Sequence, residues 1–150
     1  MKKTWIAIAV ATLTLVGCSD KEVSNNEGTL EEVVVQIQTA EKLAVGEEIA
    51  LSAKVTQGDK VIDDADQVQF EVWESGMRDH GEKLEGKHTK DGVYEATYSF
   101  DHDGVYYMFA HTTANGLHVM PKQELIVGNP DMSKVMPDEE DNSMNHGDGK

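Results

Sequence analysis

The chain has 150 residues with 28 acidic and 13 basic side chains, so its formal net charge is −15 when histidine is neutral. This charge would repel nucleic-acid phosphates, and the sequence has no basic stripe to offset it, which excludes a nucleic-acid-binding protein. The single cysteine can form neither an intramolecular disulfide nor a cysteine-based zinc site. The length suits one domain with flanking segments.

The first segment of the chain has the features of a secretory signal. Lysines at positions 2 and 3 are followed by an uncharged run, 4–16, that is shorter than the roughly 20 residues of a membrane-spanning helix. Leu15-Val16-Gly17-Cys18 resembles the bacterial lipobox, so residues 1–17 are predicted to be a lipoprotein signal peptide and Cys18 the lipidation site. A chance cysteine after an ordinary signal peptide is the alternative. Lipid on Cys18 predicts anchoring at the extracytoplasmic face of the cell membrane, because each buried methylene adds about 0.8 kcal/mol.

Polar segments flank the part of the chain that is expected to fold. Residues 18–30 carry almost no apolar side chain and are predicted to be a lipid-anchored flexible tether, because they cannot bury enough surface to offset their ordering entropy. Residues 128–150, with six acidic and two basic side chains, are predicted to be a disordered acidic tail. Four potential soft-metal donors in that tail are interpreted as solvated side chains: Met132, Met136, Met144 and His146. The folded domain is then residues 31–127.

Within residues 31–127 the apolar residues recur at every second position, which is the period of a half-buried strand. Turn signals such as Val45-Gly46-Glu47 and Lys90-Asp91-Gly92 separate these runs, and no helical period is seen. The pattern predicts an all-β fold, an immunoglobulin-like antiparallel β-sandwich. The alternating positions are Val33, Val35, Ile37; Ile49, Leu51, Ala53, Val55; Val68, Phe70, Val72; Tyr94, Ala96, Tyr98, Phe100; Tyr106, Met108, Ala110; and Leu125, Val127.

Two aromatic residues bear on this prediction. Tyr106 begins a strand after Asp103-Gly104-Val105, which makes it a candidate tyrosine corner whose hydroxyl holds the turn, with an ordinary strand aromatic as the alternative. Met108 shares the parity of Tyr106 and is predicted to pack in the core. Trp73 has the opposite parity to Val72 and its alternating partners, so the pattern does not assign it to the core without a bulge.

Histidine and methionine side chains gather on one predicted hairpin. Asn115-Gly116 is a strong type I′ signal because both central residues need positive φ. With these two residues in the loop, His111 faces Met120, and His111, His118 and Met120 share one face of the hairpin. Directly opposed Cβ atoms lie about 4.5 to 5.5 Å apart. Thioether sulfur favours Cu(I) and imidazole binds copper, zinc and nickel, so the hairpin predicts a copper site.

A second Met/His pair, Met77 and His80, lies in the glycine-flanked loop 76–81. These two residues would join the same metal site if the loop lies at the hairpin end of the sandwich, which the sequence does not decide. The alternative for each predicted ligand is an ordinary solvated or core side chain. For His88 and His102 a solvated side chain is the favoured interpretation.

Several segments resemble the YtkA-like domain of bacterial lipoproteins, which is itself similar to the FixH family. They are Asp91-Gly92-Val93-Tyr94-Glu95-Ala96, Gly104-Val105-Tyr106-Tyr107, His111, and Gly116-Leu117-His118-Val119-Met120-Pro121-Lys122. The resemblance covers about residues 31–127, most densely 91–127, and implies an immunoglobulin-like fold outside the cytoplasmic membrane. FixH-like proteins are associated with assembly of copper-containing haem oxidases, which suggests metal handling and an envelope cuproprotein or oxidase as partner. The membrane-spanning helix expected of FixH proteins is replaced here by a lipobox, so the specific oxidase role does not transfer.

The sequence favours a binding protein over an enzyme. It contains no recognisable nucleophile elbow and no glycine-rich phosphate loop. The leading hypothesis is a membrane-tethered extracytoplasmic metal-binding module for copper binding or delivery. The alternative is a non-catalytic immunoglobulin-like interaction domain of a cell-envelope lipoprotein, in which the histidines are incidental. A pH-sensitive binder is a third hypothesis, since histidines gain charge below a pH of about 6.5.

Overall fold

The structure, a computed structural model, describes residues 31–136. The predicted signal peptide, the lipidation site Cys18 and the tether lie outside the described residues, as do Met144 and His146 of the predicted tail. Between residues 31 and 136, no helix has the length and apolar character needed to cross a bilayer.

The described part of the chain forms a five-stranded and a six-stranded sheet. In the first sheet the strand order is β1-β3-β8-β7, with β4 paired to β3, and in the second it is β2-β11-β9-β5-β6, with β10 paired to β9. The strands are β1 Val33–Ile37, β2 Lys42–Leu43, β3 Glu48–Gln57, β4 Lys60–Val61, β5 Gln67–Glu74, β6 Glu82–Glu85, β7 Lys87–His88, β8 Val93–Ser99, β9 Gly104–Ala114, β10 Leu117–Val119 and β11 Lys122–Val127.

The fold is the predicted immunoglobulin-like β-sandwich. The pairings between the long strands are antiparallel, whereas the two-residue β2 pairs with β11 in parallel, which the prediction of a purely antiparallel fold did not include. Two single-turn 3-10 helices, Arg78–His80 and Met132–Lys134, complete the described elements.

The core lies between the sheets and is built from the alternating residues. Leu51, Ala53 and Val55 of β3 are fully buried, and they meet Phe70 and Met108 of the second sheet. The prediction that Met108 packs in the core is confirmed. Burial of each large apolar side chain contributes about 1.5 to 3 kcal/mol relative to its exposure, so these residues hold the two sheets face to face.

Two tyrosine hydroxyls tie loops to the sandwich. The Tyr106 hydroxyl donates to the His102 carbonyl at 3.3 Å, which is the tyrosine-corner contact expected from the sequence. Burial, and next the charge of Glu74, raise the pKa of Tyr106 to about 12. The Tyr94 hydroxyl makes two bonds, since it donates to the Ile62 carbonyl at 3.0 Å and accepts from the Ala65 amide at 2.9 Å. Tyr94 therefore holds its loop through two backbone groups.

Trp73 lies on the outer face of the second sheet, yet it is only 3% exposed. The β5–β9 register runs without a bulge from Gln67↔Thr113 to Glu74↔Tyr106, so the parity of Trp73 is that of an outward residue. Its ring packs 5.9 Å from Tyr107 and 5.2 Å from Phe109, measured between centroids. Trp73 thus belongs to a second apolar cluster outside the sandwich core, the outer aromatic cluster, made of Trp73, Val105, Tyr107 and Phe109.

Residues 128–136, here called the strap, reach the outer aromatic cluster through Val135, which packs against it. The 3-10 helix Met132–Lys134 precedes Val135. The Ser75 hydroxyl donates to the Met136 carbonyl at 2.7 Å and accepts from the Met136 amide at 3.1 Å. The tail prediction assigned disorder from residue 128 onward, whereas these contacts hold the strap on the domain. The polar composition of residues 128–150 did not indicate a contact with the domain. Val135 provides one through partial burial of its apolar side chain.

Candidate metal centre

The predicted hairpin forms with the predicted register. Asn115 and Gly116 have φ values of 50° and 76°, and His118 pairs with Thr113 across the loop. Strand β11 resumes the same register, because Lys122 pairs with Phe109. The two residues between β10 and β11 are Met120 and Pro121, and continuation of the register places Met120 opposite His111.

Proline explains the gap between β10 and β11. The Ala110 amide donates to the Pro121 carbonyl at 3.1 Å, but Pro121 has no N–H to return a bond to Ala110. The buried Thr112 hydroxyl donates to the Ala110 carbonyl at 3.3 Å and satisfies it instead. The backbone of Met120 is therefore held beside β9 although it is not part of a strand.

The two imidazoles of the hairpin lie together. The ring centroids of His111 and His118 are 6.0 Å apart, with 29° between the ring planes. Metal–imidazole bonds are about 2 Å long, and the radius of each ring adds to the span, so this separation is close to that of two imidazoles that share one ion.

Neighbouring side chains determine which imidazole nitrogens are available. The His111 Nε2 lies 2.7 Å from Glu71 Oε2, and both side chains are mostly buried, at 18% and 12% exposure. With Nε2 engaged by the carboxylate, Nδ1 is the His111 nitrogen open to a metal. The His118 Nδ1 lies 3.1 Å from Thr113 Oγ1, which leaves Nε2 for a metal. No sequence pattern points to Glu71, because it lies 40 residues from His111 along the chain.

The donor set suits a low coordination number. In residues 31–136 no three His, Cys, Asp or Glu side chains converge on a point where they could hold a metal ion. A closed tetrahedral zinc site built from those residue types is therefore not present in this part of the chain. The two imidazoles, with the thioether of Met120 in register opposite His111, would provide a mixed nitrogen and sulfur set, and a thioether favours Cu(I).

Met77 and His80 do not join this group. Strand β5 begins beside the hairpin, where Gln67 pairs with Thr113, and ends at Glu74, after which the loop with Met77 follows. Glu74 is five residues beyond Gln69, the partner of His111, which corresponds to about 17 Å at the rise of a β-strand. The sequence left open whether the loop 76–81 lies at the hairpin end of the sandwich. Met77 and His80 lie at the opposite end of the sheet, so the condition for a shared site with His111, His118 and Met120 is not met.

The remaining described histidines pair with carboxylates elsewhere. His88 Nε2 lies 2.8 Å from Asp63 Oδ1, and His102 Nε2 lies 3.2 Å from Glu74 Oε2. The Gly92 amide, followed by His88, lowers the pKa of the Asp63 carboxyl. His88 and His102 are partly or largely exposed and lie apart from the hairpin pair.

The sequence profile of the YtkA-like family matches residues 27–111. The chain belongs to the YtkA-like family. The match includes Met77, His80 and His111, and ends before His118 and Met120. The relation of this YtkA-like protein to FixH stays a prediction. No curated protein sequence matches the chain.

Solved structures similar to this YtkA-like protein include an engineered protein at 19% identity and a TM-score of 0.50, covering 65% of this chain and 20% of that one. An endo-β-1,4-mannanase from Thermotoga petrophila matches at 17% identity and a TM-score of 0.49, covering 70% and 22%. A superoxide reductase (neelaredoxin) from Ignicoccus hospitalis matches at 14% identity and a TM-score of 0.40, covering 71% and 89%. The chain spans about a fifth of the first two proteins. Likeness at such identities concerns the fold alone.

Proposed function

We propose that this YtkA-like protein is a non-catalytic, membrane-tethered extracytoplasmic module that binds or delivers copper through His111, His118 and Met120. The observation that carries the proposal is the 6.0 Å pairing of the His111 and His118 rings on one hairpin face, with Met120 in register opposite His111. Lipid on Cys18 would hold the domain at the cell membrane, where an envelope cuproprotein or oxidase is the expected partner.

The chemistry of the hairpin suits an ion that is bound and later passed on. His118 is exposed and Met120 is half-buried, so a partner can reach the ion from the solvent side. The thioether is a weak ligand on a flexible side chain, which a stronger donor of a partner can replace. Glu71 holds His111 from the protein side and orients its free nitrogen.

A competition titration tests the hairpin site. The full chain, purified in detergent, is titrated with Cu(I) under reducing conditions against a chromogenic Cu(I) chelator. We expect the double variant His118→Ala, Met120→Ala to lose one equivalent of tightly bound Cu(I). The matched control is His88→Ala, which removes an imidazole from β7 of the other sheet. Equal Cu(I) affinity in the double variant and the unaltered protein would refute the site.

A thermal melt separates copper binding from the alternative of a passive interaction domain. A ligand at 100 times its dissociation constant stabilises the folded state by about 2.7 kcal/mol. For a domain of roughly 100 residues this corresponds to a rise in Tm of about 10 to 20 °C. An interaction domain with incidental histidines predicts the same Tm with and without Cu(I).

A further inference from the structure

We propose a second soft-metal site for a monovalent ion such as Cu(I), formed by Met77, His80 and Met136 where the strap meets the end of β5. The site shares no ligand with the hairpin, so it stands or falls separately from the proposed function.

The strap brings Met136 to the turn that follows β5. Two hydrogen bonds between Ser75 and the Met136 backbone fix this approach. The Met136 sulfur then lies against Gly76: a Cβ atom at Gly76 would be only 3.1 Å from Sδ. Gly76 has a φ of +78° and directly precedes Met77, so the Met136 sulfur lies beside the residue that precedes the second methionine.

The 3-10 helix places the third donor. Met77 is the residue before the helix Arg78–His80, and the His80 amide donates to the Met77 carbonyl at 2.9 Å. In a 3-10 helix the side chains of residues i and i+3 eclipse each other. Met77 and His80 stand in this i, i+3 relation on one short segment, with Met77 as the N-cap of the helix.

Both methionines are open to solvent, so an ion can reach their sulfurs. Met77 is 53% exposed and Met136 is 60% exposed, whereas Met108 is fully buried in the core. Neither exposed thioether gains the stabilisation that burial gives, yet both stand on backbone that is held by hydrogen bonds. Each has three rotatable bonds, so modest rotamer changes can direct both sulfurs at one ion.

The type of donor identifies the ligand. Thioether and imidazole donors together select a soft ion such as Cu(I), while the formal charges of Arg78 and Asp79 in the same turn offset each other, so donor type alone carries the choice of ion. Because Met136 belongs to the strap and Met77 to the sheet end, a shared ion would also fasten the strap to the end of β5.

Methionine-methyl NMR with Ag(I), a soft monovalent ion without redox chemistry, tests the site. The full chain is labelled with ¹³C-methyl methionine and titrated in detergent. We expect the Met77 and Met136 methyl signals to shift, and to do so also in the His118→Ala, Met120→Ala variant. The double variant Met77→Leu, Met136→Leu should lose one equivalent of bound ion. The matched control Met108→Leu removes a buried thioether and should lose none.

The outcomes separate the two sites. If the Met77→Leu, Met136→Leu variant keeps every equivalent, or if the Met77 signal stays unshifted while Met144 shifts, the second site is refuted. The second site is also refuted if the His118→Ala, Met120→Ala variant binds no ion at all. If the hairpin variant loses nothing while the leucine variant loses one equivalent, the second site stands and the hairpin site fails. Leucine conserves the volume of methionine, and an unchanged urea midpoint verifies the fold.

Discussion

Removal of the Glu71 carboxylate should weaken copper binding, although Glu71 is not one of the proposed ligands of the ion. The carboxylate holds His111 through a 2.7 Å bond in a mostly buried setting. Loss of such an orienting partner typically weakens metal affinity 10- to 100-fold, or about 1.4 to 2.7 kcal/mol. A hydrogen bond to a charged group contributes about 1.5 to 3 kcal/mol, which agrees with that range. We therefore expect Glu71→Ala to raise the Kd for Cu(I) by about 10- to 100-fold.

The assay is the chelator competition in the full chain, with urea unfolding of the metal-free protein as a check on the fold. Glu71→Gln keeps an acceptor for His111 and should cost less affinity than Glu71→Ala. The matched control is Glu48→Ala, which removes an exposed carboxylate from the other sheet. If Glu71→Ala binds Cu(I) as tightly as the unaltered protein, or more tightly, the orienting role of Glu71 is wrong.

Three further predictions concern the domain. Tyr94→Phe leaves two backbone groups without their side-chain partner and should lower the free energy of unfolding in urea by about 1 to 3 kcal/mol. Tyr106→Phe should lower it by less, and the reverse order would contradict this prediction. The lowered pKa of Asp63 stabilises the fold above its unfolded pKa of about 3.9, and this contribution disappears as the pH falls through the folded value. Asp63→Asn should thus flatten the acid dependence of the urea midpoint between pH 5 and 2, and an unaltered slope would count against it. Gly92→Ala should lower Tm, because the φ of Gly92 is +74° and the new Cβ would lie 2.6 Å from the Val55 carbonyl oxygen. An unchanged Tm would contradict this prediction.

The long strands could be predicted because each buries alternate residues on a single face. Runs such as Leu51, Ala53 and Val55 are fully buried, so the sequence there shows a clear period of two. Strands β2, β4 and β7 have two residues each, which is too short to show any period. The parallel pairing of β2 with β11 depends on the path of the chain between the sheets, which local patterns do not contain.

One part of the candidate site could be predicted from the sequence and another part could not. The relation of His111 to Met120 is local, since one Asn-Gly turn sets the register between them. The contact of His111 with Glu71 arises only because β5 lies next to β9, and the position of Met77 follows from the direction of β5. Both depend on strand order, which no segment of the sequence specifies.

The strap determines which C-terminal truncations the domain can tolerate. A chain shortened after Val127 would lose Val135 and both bonds to Ser75, and the part of the outer aromatic cluster that Val135 contacts would face water. The Arg78 guanidinium, 5.1 Å from the ring centroids of Trp73 and Phe109, would still lie over these two rings. Because exposed apolar surface promotes self-association, a protein ending at residue 127 should associate more readily than one ending at residue 136.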